Sequence, residues 1–146
     1  MSEGTTENLP IGQHEQEHLK NVIEMLTAFR QDKIQEALSY FTDDVEWRVS
    51  IQEEFPMGGI FYGLKGVQQF FENHNKLFDI ESDEHCETVV QGNKVVIIGH
   101  ERAHIRPHGK LYEADYASTF VFREGKISRC YVFGDSAALL KAYRGE

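Results

Sequence analysis

Three strand-like runs follow one another at residues 95–105, 112–122 and 126–133, and they leave this chain few folds to choose from. Each is rich in β-branched and aromatic residues, the side chains that suit a pleated, half-buried surface. Residues 107–110 join the first two runs and 123–125 join the last two. Short links containing Gly109 and Gly125 between such runs read as hairpins. The segment is therefore an antiparallel meander, and the functional question is what its buried face carries.

Alternate residues of a strand share a face. In the first run Val95, Ile97, Gly99, Glu101, Ala103 and Ile105 lie together, apolar except for Glu101. The opposite face, with His100, Arg102, His104 and Arg106, turns basic and wet. A carboxylate set into an apolar wall has its pKa raised by desolvation, which suits proton transfer. With a three-residue hairpin loop Leu111 pairs with Pro107. Ala117 then faces Glu101, and Asp115 becomes a diagonal neighbour of Glu101 on the same face, close enough to couple. Glu101 and Asp115 are the expected catalytic pair. The competing reading makes them structural or solvated carboxylates.

Upstream, Leu19, Val22, Ile23, Leu26 and Phe29 follow helical spacing over 14–29, and Ile34, Ala37, Leu38 and Phe41 mark a short second helix. Thr42, Asp43 and Asp44 end it. Val45, Trp47, Val49 and Ile51 alternate as one face of a strand. Residues 52–63 read as a loop with Pro56, Gly58 and Gly59. Its apolar Phe55, Met57, Ile60, Phe61 and Tyr62 must lie over something, such as the mouth of a pocket. A third helix spans 66–78, a fourth, acidic extended segment spans 78–91, and Asp135 caps a final helix at 136–143. Helices segregated from a curved antiparallel sheet make an α+β architecture. Residues 1–12 carry nothing to bury and are expected to be disordered, with a single domain at 13–146.

Charge and composition exclude several functions. A net charge of −9 opposes binding to nucleic acid phosphates or anionic membrane surfaces. No apolar run approaches the roughly 18 residues a membrane helix needs. The polar, acidic first residues are no signal peptide, and two cysteines, Cys86 and Cys130, are no disulfide framework, so a reducing cytoplasm is expected. His14, Glu15 and His18 match H-E-x-x-H, but Glu17 inside the pattern and the absence of a third ligand argue for a solvated first helical turn. His100 and His104 share a strand face about 13 Å apart, too far for one metal. No metal and no cofactor are expected.

The segments 40–47 (YFTDDVEW), 63–70 (GLKGVQQF), 124–128 (EGKIS) and 133–135 (FGD) together resemble the nuclear transport factor 2-like superfamily. Within it the SnoaL-like polyketide cyclases, ketosteroid isomerase and limonene-epoxide hydrolase look most similar. The resemblance covers nearly the whole chain after residue 12. It implies a cone-shaped α+β roll, a bent antiparallel sheet wrapped around N-terminal helices, with one apolar pocket and often a dimer through the outer sheet face. The isomerase base falls on Val49 and its oxyanion donors on Met25 and Ala117, so steroid-type isomerisation is not implied. The hydrolase positions fall on Gly99, Glu101 and Val132, and only Glu101 is a carboxylate. The resemblance thus implies a small apolar ligand held among Trp47, Val49, Met57, Tyr62, His74 and Val132. Two functions stay open. One is an acid–base enzyme of hydrolase, isomerase or cyclase type acting through Glu101 on an apolar oxygenated substrate. The other is a non-catalytic binding or scaffold module. The exposed Arg129, Tyr131, Phe133 and His104 favour a homodimer.

Overall fold

A computed structural model of the chain describes residues 11–146. In chain order it contains α1 (Ile11–Arg30), α2 (Ile34–Leu38), β1 (Phe41–Val49), β2 (Gly59–Tyr62), α3 (Gly63–Leu77), β3 (Phe78–Gln91), β4 (Lys94–Ile105), β5 (Lys110–Arg123), β6 (Lys126–Phe133) and α4 (Ser136–Arg144). The strands form one six-stranded sheet in the order β2-β1-β6-β5-β4-β3. The meander at its centre is antiparallel throughout, as its short links require. The sheet as a whole is mixed, because β1 and β6 pair in parallel, with Trp47 opposite Cys130. Sequence alternation shows which face a strand buries, not the direction of its neighbour.

The helices pack on the inner face of the sheet. Val22, Met25 and Phe29 of α1 and Val67, Phe70 and Phe71 of α3 meet Phe41, Val45 and Trp47 of β1 in one continuous core. Aromatic contacts dominate there: Phe29 stacks on Phe71 at 4.3 Å between ring centroids, and Trp47 lies 4.7 Å from Phe70. Asp135 caps α4 by accepting from the Ala138 backbone N–H at 3.0 Å.

Three boundaries differ from the sequence reading. The expected tail at 1–12 lies mostly outside the described residues, but Ile11 and Gly12 already belong to α1. Thr42, Asp43 and Asp44 belong to β1 rather than ending a helix. Residues 59–62 form the edge strand β2, pairing with β1 from Tyr62 opposite Glu46 to Gly59 opposite Val49. Before it the chain folds back so tightly that a Cβ on Gly58 would lie 2.1 Å from the Gln52 carbonyl oxygen, leaving glycine as the residue that fits. That turn buries Phe55 and Met57.

The H-E-x-x-H pattern clasps α1 to the β3–β4 hairpin. His18 Nδ1 lies 3.0 Å from the Gly92 carbonyl oxygen, its ring stacks on Phe122 at 4.2 Å, and Glu15 accepts from the Gly92 N–H at 2.9 Å. Among the described residues no group of three metal-ligating side chains comes together, and no helix is long and apolar enough to cross a membrane.

Phe71 is fully buried and bridges α1, α3 and β1. Phe71→Ala is expected to cost about 3–5 kcal/mol of folding free energy, measured as a shift in the urea unfolding midpoint at unchanged m-value.

Candidate active site

Between the helices and the inner sheet face lies a cavity of about 620 Å³. Its wall is largely apolar, with Leu26, Phe29, Trp47, Phe70, Ile97 and Phe120 among the lining residues. Phe55 and Met57 from the folded-back turn close part of it. Its exposed polar lining residues, Arg30, Asp32, Asn75, Glu81 and Ser82, come from the end of α1, the turn after it, the end of α3 and β3. A concave apolar site with a few convergent polar groups is how proteins bind small ligands.

Glu101 lies in this wall, flanked along β4 by Gly99 and Ala103. Among the described residues its carboxyl accepts no hydrogen bond. Desolvation, reinforced by the negative charge of Asp83, pushes its pKa up to about 7, against partial relief from Arg30. Asp83 of β3 is the residue directly opposite Glu101 in the sheet. Both its oxygens are engaged: Arg30 of α1 donates to one at 2.5 Å, and the Tyr116 hydroxyl of β5 donates to the other at 2.6 Å. Arg30 also meets His85 Nε2 at 2.9 Å, and burial together with Arg30 lowers the His85 pKa. Tyr116 reaches Asp83 by lying flat over Gly99, where any Cβ would come within 2.5 Å of its ring. Burial and the bond to Asp83 raise the Tyr116 pKa.

Asp115 is not the partner of Glu101. The link between β4 and β5 is one residue longer than three, so Ile105 pairs with Lys110 and the residue opposite Glu101 is Ala114, not Ala117. An odd change of register exchanges the faces of a strand. Asp115 therefore points outward and binds His100 Nδ1 at 2.8 Å, while Glu113 binds His100 Nε2 at 2.8 Å and Arg102 at 2.8 Å. Those two carboxylates, Glu113 first, raise the His100 pKa. This is a solvated ion network on the outer face, of small energetic weight.

Tyr62 is also absent from the cavity wall. It lies at the end of β2 and is 66% exposed. Trp47, Val49, Met57, His74 and Val132 do line the cavity. His74 is wedged against Phe29 and Phe78, and burial lowers its pKa to about 4, keeping the ring neutral. Among the described residues neither His74 Nδ1 nor Trp47 Nε1 has a hydrogen-bond partner, and both atoms are sealed by the surrounding side chains, at a cost of roughly 1–3 kcal/mol each.

Among the polar lining residues that sequence reasoning missed are Arg30, Asp83, Tyr112, Tyr116 and Ser118. The tyrosines and Ser118 became legible only with the correct register. Asp83 was hidden because β3 is bulged between Ile80 and Ser82 and again between His85 and Glu87, which breaks the period of two.

The geometry can be set beside known proteins. The SnoaL-like domain family matches residues 22–130. A search of curated protein sequences finds no match. Among solved structures, a nuclear transport factor 2-like protein from Burkholderia xenovorans aligns with a TM-score of 0.82 at 21% identity, covering 88% of this chain and 97% of its own. TerC, co-crystallised with polyporic acid, aligns with a TM-score of 0.75 at 21% identity, covering 88% and 98%. A protein from Jannaschia assigned as a SnoaL-like polyketide cyclase aligns with a TM-score of 0.78 at 17% identity, covering 94% and 96%. At these identities the likeness is one of fold.

The Glu101 proton links stability to pH. The folded protein holds it up to about pH 7, the unfolded chain only to about 4.5. Stability therefore falls as pH rises through that window and stays lowered above it, by up to roughly 3 kcal/mol. Glu101→Gln, neutral throughout, is expected to gain stability over the wild type at pH 8 and to lose that advantage near pH 4. Urea unfolding of both proteins at the two pH values checks this, and a pH-independent difference would contradict it.

Proposed function

Because the chain belongs to the SnoaL-like domain family, within the nuclear transport factor 2-like superfamily, we propose that it is an acid–base enzyme acting on a small, apolar, oxygen-bearing molecule. Glu101 is the proton-transferring group. The observation that carries this reading is a carboxyl in the wall of an apolar cavity, bonded to no protein donor among the described residues, that changes protonation near neutral pH. A structural carboxylate in such a wall would be expected to have its lone pairs satisfied. Asp83 is poorly suited to the same task, since Arg30 and Tyr116 occupy both its oxygens.

The chemistry follows from the surroundings. As a base the Glu101 carboxylate takes a proton from a carbon next to a carbonyl or from an attacking water, and as an acid it returns that proton to the product. The apolar wall supplies binding energy for a hydrophobic skeleton. Val49 and Val132, which stand where related enzymes place polar catalytic groups, contribute only shape here. That substitution is what favours the second reading, a pocket that binds a ligand without transforming it.

Carboxyl NMR titration separates the two. Glu101, assigned by comparison with Glu101→Gln, is expected to titrate near pH 7, and Asp83→Asn is expected to lower its midpoint by removing the adjacent charge. A midpoint near 4.5 would end the enzyme reading and leave the binding module.

A homodimer through the outer sheet face belongs to the same proposal. Tyr131 and Phe133 stack at 4.0 Å there, Arg48 lies over Tyr131, and Phe133 is 42% exposed. Light scattering should give twice the chain mass for the wild type and the monomer mass for Phe133→Glu, and a monomeric wild type would refute it.

A further inference from the structure

Glu101 brings two polar atoms into the cavity wall, and the protein answers neither. Among the described residues its carboxyl has no hydrogen-bond partner, although the side chain is largely buried and lines the cavity. Its oxygens are also not among the sealed polar atoms, unlike Trp47 Nε1 and His74 Nδ1. They therefore meet the open space of the cavity. The groups around Glu101 are engaged elsewhere or apolar. On β5, Ala114 lies directly opposite it, and Tyr112 and Tyr116 lie on the two diagonals. Tyr116 donates to Asp83 at 2.6 Å, and the Tyr112 hydroxyl is hydrogen-bonded to the backbone of Asp135. Along the same face of β4 the neighbours are Gly99 and Ala103, which carry no polar side chain. On β3 stands Asp83, with both oxygens in use.

Hydrogen-bond accounting then restricts what can lie against this carboxyl. Burial, followed by the charge of Asp83, keeps it protonated up to about pH 7. A protonated carboxyl has two unlike sides: the O–H donates and the carbonyl oxygen accepts. A ligand that covers both removes water from both, and each side left without a partner weakens the complex. A simple ketone, ether or ester takes the O–H and leaves the carbonyl oxygen unpaired. A carbonyl with an N–H or O–H beside it, as in an amide, a lactam or an enolised diketone, closes a ring of two hydrogen bonds with the carboxyl and leaves nothing unpaired. The rest of the wall, with Phe29, Phe70 and Phe120, suits the apolar remainder of such a molecule.

We infer that the substrate carries a hydrogen-bond donor and a carbonyl acceptor side by side, and that Glu101 binds both at once through its two oxygens. This rests on the reading of Glu101 as the group that meets the substrate, and it narrows the substrate class from oxygen-bearing molecules at large to carbonyl compounds with an adjacent N–H or O–H. Selection is made by pairing: a molecule of the same shape with the donor replaced by a methyl group loses one of the two bonds.

The probes are 2-naphthamide and methyl 2-naphthyl ketone, which differ only in an NH2 exchanged for a CH3. Trp47, the single tryptophan of the chain, lines the cavity, so its emission reports binding of either probe to the full chain. Binding is measured at about pH 5.5, where the folded protein holds the Glu101 proton. The quantity read is the ratio of the two dissociation constants, compared between variants so that the different hydration of the probes cancels. Glu101→Met, apolar and close in size, is expected to lower the preference for the amide about tenfold relative to the wild type. Glu101→Gln still offers one donor and one acceptor, so it should keep the preference within about threefold of the wild type although it has no proton to transfer. The ketone, bound by all three proteins, shows that the cavity is intact. Equal preference in wild type and Glu101→Met, a Glu101→Gln variant that behaves as Glu101→Met, or a wild type that binds neither probe would each overturn the inference. The Glu101 titration described above separates it from the catalytic reading. A midpoint near 7 without amide preference removes the paired recognition alone. An ordinary midpoint with the preference intact removes the catalysis and leaves Glu101 as a binding group.

Discussion

The site depends on one electrostatic imbalance. Among the described residues Glu101 has no hydrogen-bond donor bonded to it, while Asp83 directly across the sheet has two. Two carboxylates this close cannot both be comfortably charged. Two donors, Arg30 and Tyr116, are bonded to Asp83, while burial and then the Asp83 charge raise the Glu101 pKa to about 7. The difference between the two carboxyls is thus one of burial and of hydrogen-bond partners together. The parts come from α1, β3, β4 and β5, so only the assembled fold creates the difference.

The same cluster explains why small residues stand where they do. Gly99 and Ala114 occupy positions on the inner face beside Tyr116 and Glu101. A larger side chain at 99 would lift the Tyr116 ring off the sheet and release Asp83. The aromatic wall then does the complementary work. It excludes water, which keeps the charge on Asp83 felt by Glu101, and it keeps His74 neutral beside Phe78.

Much of this architecture was legible in the amino-acid sequence. The alternation of β4 put Glu101 on the apolar face, and the spacing of glycines and aromatic runs gave the meander and the family resemblance. What alternation could not give was relative register. One extra residue in the β4–β5 link moved Asp115 outward and brought Tyr112 and Tyr116 inward. In β3 the bulge between Ile80 and Ser82 makes Ile80 and Asp83, three residues apart, share a face, so no periodic reading could have found Asp83. Arg30 was invisible for a different reason: a cationic residue at the end of a helix is explained by the helix dipole alone. Tyr62 shows the reverse error, since an aromatic residue in an apolar stretch was assigned to the pocket and instead ends an edge strand in solvent.

The parallel pairing of β1 with β6 carries a consequence for how the molecule acquires its site. Trp47 and Val49 lie beside Cys130 and Val132, so strands from opposite ends of the sequence must meet to close the cavity. Such a contact spans a long stretch of chain and forms late relative to the local hairpins of the meander. A chain with the β3–β6 meander in place but β1 undocked would lack the Trp47 and Val49 side of the cavity wall. The cavity that holds Glu101 is therefore whole only when this long-range pair is made.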